Sequence, residues 1–79
     1  MTEEEKEQQI IDMDKLMIEN GQGFIEWEKQ ELKWLGKMED EAKARVLRRI
    51  ELIKQWAIEN NMMKPKLERL KEEGFLSDK

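Results

Sequence analysis

The chain contains no cysteine, no histidine and no tyrosine. Without thiols there are no disulfides and no thiolate metal sites; without imidazole there is no side chain that ordinarily titrates near neutral pH. The usual general bases and nucleophiles are therefore missing, and carboxylates are what remain for proton chemistry. Nineteen acids are present, but nothing in their order makes any two of them converge in a dry site, and a solvated helix face is the ordinary use of such residues. No enzyme and no cofactor are expected.

Proline occurs once, at Pro65, and Thr2 and Val46 are the sole threonine and valine. That poverty of β-formers, with no alternating apolar pattern, excludes a sheet protein. Long hydrophobic runs are also missing, since none exceeds three residues, as in Leu16-Met17-Ile18. The acidic opening Met1-Thr2-Glu3-Glu4-Glu5 is unlike the basic start of a signal peptide, so neither secretion nor membrane spanning is expected and the cytoplasm is the expected location. With 79 residues there is room for a single helical domain over 1–79 with a frayed tail at 74–79. A chain this short buries only about 60 to 65% of its unfolded surface, which favours assembly with a second copy or a partner.

What the sequence does have is charge, and it is sorted. Residues 1–41 carry thirteen Asp/Glu and five Lys, whereas residues 42–79 carry six Asp/Glu and ten Lys/Arg, giving −8 and +4 for the net of −4. Oppositely charged halves can meet within one chain, between copies or on separate partners.

The periodicity predicts an all-α bundle of three or four helices at about 3–19, 24–35, 39–60 and 65–73, with 24–60 as one long kinked helix the alternative at Gly36. Thr2 and Glu5 have capping-box spacing ahead of the first helix. Its strongest apolar stripe is Ile10, Met13, Leu16 and Met17, with Ile11 and Ile18 flanking it beyond Asp14. Asn20-Gly21-Gln22-Gly23 reads as a turn; its two glycines lack the preceding strand and third glycine of a phosphate cradle. Phe24, Trp27, Trp34, Leu35 and Met38 share the core face of the second helix, and Lys29, Lys33 and Lys37 line the opposite one at spacing four. A membrane-surface helix fits poorly, because Glu28 and Glu31 lie within or beside that apolar arc.

The third helix opens on Glu39-Asp40-Glu41, acids suited to the positive end of the helix dipole, and offers Glu39/Lys43 and Glu41/Arg45 at spacing four. Its core stripe is Ala42, Val46, Ile50, Ile53 and Ala57, with Leu47 alongside. Asn60-Asn61 is its expected stop. Pro65 suits the first turn of a short last helix, Gly74 suits the left-handed position after it, and Leu70 with Phe75 has the spacing of a Schellman contact.

One constellation stands apart. Arg45, Arg48, Arg49, Leu52 and Trp56 form a second stripe on the third helix, and these are the candidate partner-binding or ligand-binding residues. Arg with Trp is a pairing enriched at binding hot spots, because the guanidinium fork matches carboxylate or phosphate and indole contributes large buried area. The same residues could instead pack on a neighbouring helix, with the arginines over the chain's own acidic half. No metal site is expected, since Asp12, Asp14 and Glu19 lack the remaining ligands and glycine of a calcium loop.

The expected function is that of a small helical protein-protein interaction module, an adaptor or inhibitor of the kind phages and mobile elements encode, binding a larger protein partner and forming a homo-oligomer. The alternative is a binder of nucleic acid, a nucleotide or another phosphorylated small ligand through the Arg/Trp stripe. The acidic half opposes that alternative, because counterion release would be partly offset by self-repulsion.

Overall fold

The computed structural model describes residues 2–74. They form an all-α bundle of three long helices and one short one: α1 Glu3–Met17, α2 Gly23–Leu35, α3 Asp40–Glu59 and α4 Lys66–Glu72. The body is flattened, with principal extents of 49 × 27 × 17 Å. Glu7 and Asp14 of α1 both reach Arg49, and Lys15 reaches Trp56, so α1 and α3 run in the same direction. α2 runs the opposite way, its start lying beside the end of α3, where Phe24 N–H donates to Met62 C=O at 3.0 Å.

Thr2 caps α1 as its spacing predicts, its hydroxyl accepting from Glu5 N–H at 3.1 Å. The first junction departs from expectation. Instead of leaving the helix at Asn20, the chain widens into one π turn over Ile18–Gln22, and only Gly23 turns to positive φ, at 74°. A single reversal suffices because the π turn lets Gly23 N–H donate to Ile18 C=O. Near-continuity of the kind weighed as the alternative at Gly36 thus occurs at the first junction. Gly36 itself ends α2, and the chain re-enters helix only at Asp40, so α2 and α3 are separate helices and the 24–60 alternative is excluded.

The core is built from Ile11, Ile18, Phe24, Trp27, Val46, Ile50, Ile53 and Ala57, all buried. Phe24 and Trp27 meet edge to face with ring centroids 5.5 Å apart. On α3 the predicted stripe is the observed one from Val46 to Ala57, although Ala42 is only half-buried and Leu47 is exposed. On α1 the prediction is overturned: Ile10, Met13, Leu16 and Met17 are exposed, and the flanking Ile11, Asp14 and Ile18 face the core. Turning this side inward brings Asp14 and Glu7 to Arg49, an interaction that hydrophobic periodicity does not register. On α2 the exposed Trp34 leaves the core stripe, and Glu31 takes its place between Trp27 and Leu35.

The end of α3 is a Schellman motif. Met62 N–H donates to Ala57 C=O at 2.7 Å and Asn61 N–H to Ile58 C=O at 3.4 Å, with Asn61 at φ 56°. Asn60 adds a side-chain bond from its Nδ2 to Trp56 C=O at 2.8 Å. Neither Glu39/Lys43 nor Glu41/Arg45 closes to an ion pair among the described residues. Pro65 stands just before α4 as its N-cap, one place earlier than expected, and Gly74 has the predicted positive φ, at 83°. The contact proposed between Leu70 and Phe75 lies outside the described residues.

Candidate functional site

The stripe Arg45, Arg48, Arg49, Leu52 and Trp56 divides into an inner and an outer part. Arg49 is inside, its side chain 11% exposed, with Nε 3.4 Å from Asp14 Oδ2 and NH1 3.6 Å from Glu7 Oε1. Trp56 is half-buried against the core, and Lys15 Nζ lies 5.6 Å from its ring centroid. Arg45, Arg48 and Leu52 remain exposed. They line an open concavity of about 300 Å³ that also takes in Glu3, Glu4 and Glu7 from the first turns of α1. The basic stripe of α3 and the acidic start of α1 therefore meet within one chain, and the concavity is lined by charges of both signs.

Behind Arg49 lies a partly desolvated carboxylate pair. Burial raises the pKa of Asp14; Arg49 and the Trp27 indole N–H counter this, and Glu7 adds to it. Burial likewise raises the pKa of Glu31, with Asp14 adding repulsion and Arg49 opposing it. The pairing is imperfect, because Asp14 Oδ2, Arg49 Nε and Trp27 Nε1 are all buried without a well-aligned hydrogen bond. Such raised carboxyls are a feature of acid-base sites, but here they sit within the helix packing: neither carboxyl lines the concavities beside Arg45 or Trp34. Among the described residues no three acidic groups are placed to hold a metal ion, and no helix is long and apolar enough to cross a membrane.

Sequence reasoning overlooked the fourth arginine. Arg69 is buried although it stands on the seven-residue α4. Its Nε donates to Lys64 C=O at 3.0 Å and its NH2 to Glu19 C=O at 2.8 Å and Ile18 C=O at 3.5 Å, with Met62 sulfur beside NH1. It thereby serves the Glu19 carbonyl in the π turn and adds a second donor to the Ile18 carbonyl that Gly23 N–H already reaches. No local pattern marks this role, because the acceptors of its NH2 group are backbone carbonyls fifty residues away.

Two further exposed faces stand out among the described residues. On the outer side of α1, Ile10, Met13, Leu16 and Met17 are between 41% and 66% exposed. On α2, Trp34 is 55% exposed under Lys37, whose Nζ is 5.2 Å from its ring centroid. Gln30 and Lys33 join them around an open concavity of about 360 Å³.

No family model matches the chain, and no curated protein or solved structure is significantly similar to it.

Proposed function

We propose that the protein is a non-enzymatic binding module whose working surface is the outer face of α1, an adaptor or inhibitor that covers a site on a larger protein. The observation that carries this reading is the exposure of Ile10, Met13, Leu16 and Met17 together. An apolar row on an amphipathic helix is the form in which helices dock into grooves, with anchors at i, i+3 and i+7. Scattered exposed apolar residues are ordinary; a contiguous row along one helix is the kind of patch that marks an interaction surface. The absence of histidine, cysteine and tyrosine supports the same reading.

The nucleic-acid alternative draws less support. Arg49 is engaged by Asp14 and Glu7, and Arg45 and Arg48 share their concavity with Glu3 and Glu4. A phosphate approaching this face would meet carboxylates as well as guanidinium groups.

The test is affinity capture from a native extract with the wild type, Met13→Glu/Leu16→Glu and Arg45→Glu/Arg48→Glu. A protein retained by the wild type and the arginine variant, and lost with the α1 variant, supports the reading. Equal retention by all three removes α1 as the working surface, and binding of single-stranded DNA or RNA at low salt that is lost with Arg45→Glu/Arg48→Glu favours the alternative.

A further inference from the structure

The outer face of α1 has a counterpart on the same molecule. One edge of its apolar row is marked by the exposed acids Glu5 and Asp12, seven residues apart and so about 10 Å along the helix at 1.5 Å per residue, with the exposed Glu19 beyond them in the π turn. Near the end of α2 the exposed Lys33, and in the turn just beyond it Lys37, flank the exposed Trp34, with Lys29 one helical turn earlier. Lys29 is held by Glu26 at 3.4 Å, but among the described residues neither Lys33 nor Lys37 has an ion-pair partner. Each face thus combines apolar surface with a charged edge, and the two edges are of opposite sign.

Resting on the reading of α1 as the working surface, we infer that in the isolated protein this face is occupied by a second copy of the chain, which presents the Trp34 side of its α2. Charge decides the pairing. Two α1 faces brought together would align acidic edges, and two α2 faces would align lysines; of the pairings of these two faces, α1 against α2 sets acid against base along the contact, whereas the exposed arginines of α3, Arg45 and Arg48, already share their concavity with Glu3 and Glu4 of their own chain. Trp34 is the natural anchor, since a half-exposed indole beside an open concavity gives apolar methionine and leucine side chains a broad surface to cover. The contact is heterologous. Each copy uses a different patch from the one it meets, so the assembly grows head to tail and ends only by closing into a ring. A foreign partner of α1 then competes with the second copy.

Mixing two crippled variants tests this directly. Met13→Glu/Leu16→Glu removes the α1 face and leaves α2 intact; Trp34→Glu/Lys37→Glu does the reverse. All four positions are exposed, so circular dichroism should show unchanged helicity; if either variant loses it, Met13→Gln/Leu16→Gln and Trp34→Gln/Lys37→Gln take their place. In light scattering and sedimentation the wild type should exceed its 9.6 kDa monomer mass as concentration rises. Each variant alone should associate at least about tenfold more weakly, as loss of a central anchor does. A one-to-one mixture should form a heterodimer that grows no further, because each member retains one usable face.

A wild type that stays monomeric throughout overturns the inference, as does a mixture that stays monomeric. If the α1 variant is monomeric while the α2 variant assembles like the wild type, α1 is a binding surface but its occupant is not α2, and only the inference falls. If both variants assemble like the wild type, neither face is used and the reading of α1 falls with it.

Discussion

Gly23 packs directly against the backbone of Lys64: a Cβ at Gly23 would lie 2.5 Å from the Lys64 carbonyl carbon and 2.8 Å from Pro65 N. With φ at 74°, the position also rejects L side chains on conformational grounds. Gly23→Ala should cost at least about 2 kcal/mol, the sum of backbone strain and a clash with main chain that has nowhere to go. For a domain of this size that is a fall of about 8 °C or more in Tm. Gly21→Ala should do the opposite, gaining about 0.5 to 1 kcal/mol, because nothing lies within 4 Å of the added methyl and the φ is ordinary. Thermal unfolding followed by circular dichroism distinguishes the two, and equal effects would mean that Gly23 is not held against Lys64.

Arg69 acts on the same corner from the other side. Arg69→Met should cost about 2 to 3 kcal/mol, since it keeps apolar bulk but strips donors from the carbonyls of Ile18, Glu19 and Lys64. Lysine should not restore the loss, because one ammonium does not reproduce a planar fork serving several acceptors. Urea denaturation checks both, and full rescue by lysine would show that charge alone matters.

The arginines of α3 should separate sharply under mutation. Arg49→Met leaves Asp14 buried beside Glu7 and Glu31 without its cation, a loss of about 2 to 4 kcal/mol. Arg45→Ala and Arg48→Ala should each stay within about 0.5 kcal/mol of the wild type, as exposed charges do. Pairing Arg49→Met with Asp14→Leu should recover most of the loss, and a double-mutant cycle in urea measures the coupling. Additive effects would mean that the two side chains do not interact.

Acidity should strengthen the bundle where Asp14 and Glu31 are concerned. Both have pKa values raised in the folded state above the ordinary 3.8 and 4.5. The folded chain therefore takes up these protons first; its stability rises as pH falls through the raised values and gains nothing more below the ordinary ones. Asp14→Asn/Glu31→Gln should flatten that part of the profile. Glu31→Leu should stabilise at neutral pH, since it completes the apolar row of Phe24, Trp27 and Leu35. Urea midpoints between pH 4 and 8 read this out, and a double variant with an unchanged slope would place the titration elsewhere.

The parts of the fold that hydrophobic spacing governs were legible in the sequence. Val46, Ile50, Ile53 and Ala57 follow the helical repeat without interruption and are all buried. The cap at Thr2 and the stop at Asn60-Asn61 were legible too, because the atoms that make them are local. The inner face of α1 was not, since Ile10, Met13, Leu16 and Met17 form the better stripe, whereas the side turned inward carries Ile11, Ile18 and the Asp14 that meets a distant arginine, a contact no local spacing shows. Of the five candidate residues, Arg49 meets the acidic half, one of the outcomes the sequence left open, whereas the prominence of α1 and Trp34 as exposed surfaces depended on knowing which apolar residues the core leaves out. Arg69 gave no signal, because its partners are carbonyls that every residue possesses.

The clasp of Arg69 also sets an order of events. Its hydrogen bonds to Ile18 and Glu19 span 51 and 50 residues, and Gly23 needs the backbone at Lys64 to pack against. A nascent chain that has released α1 and α2 holds the glycine and the free carbonyls but neither of the groups that close around them. The corner between α1 and α2 is thus completed only by groups from the far end of the described chain, so its geometry depends on contacts of high sequence separation.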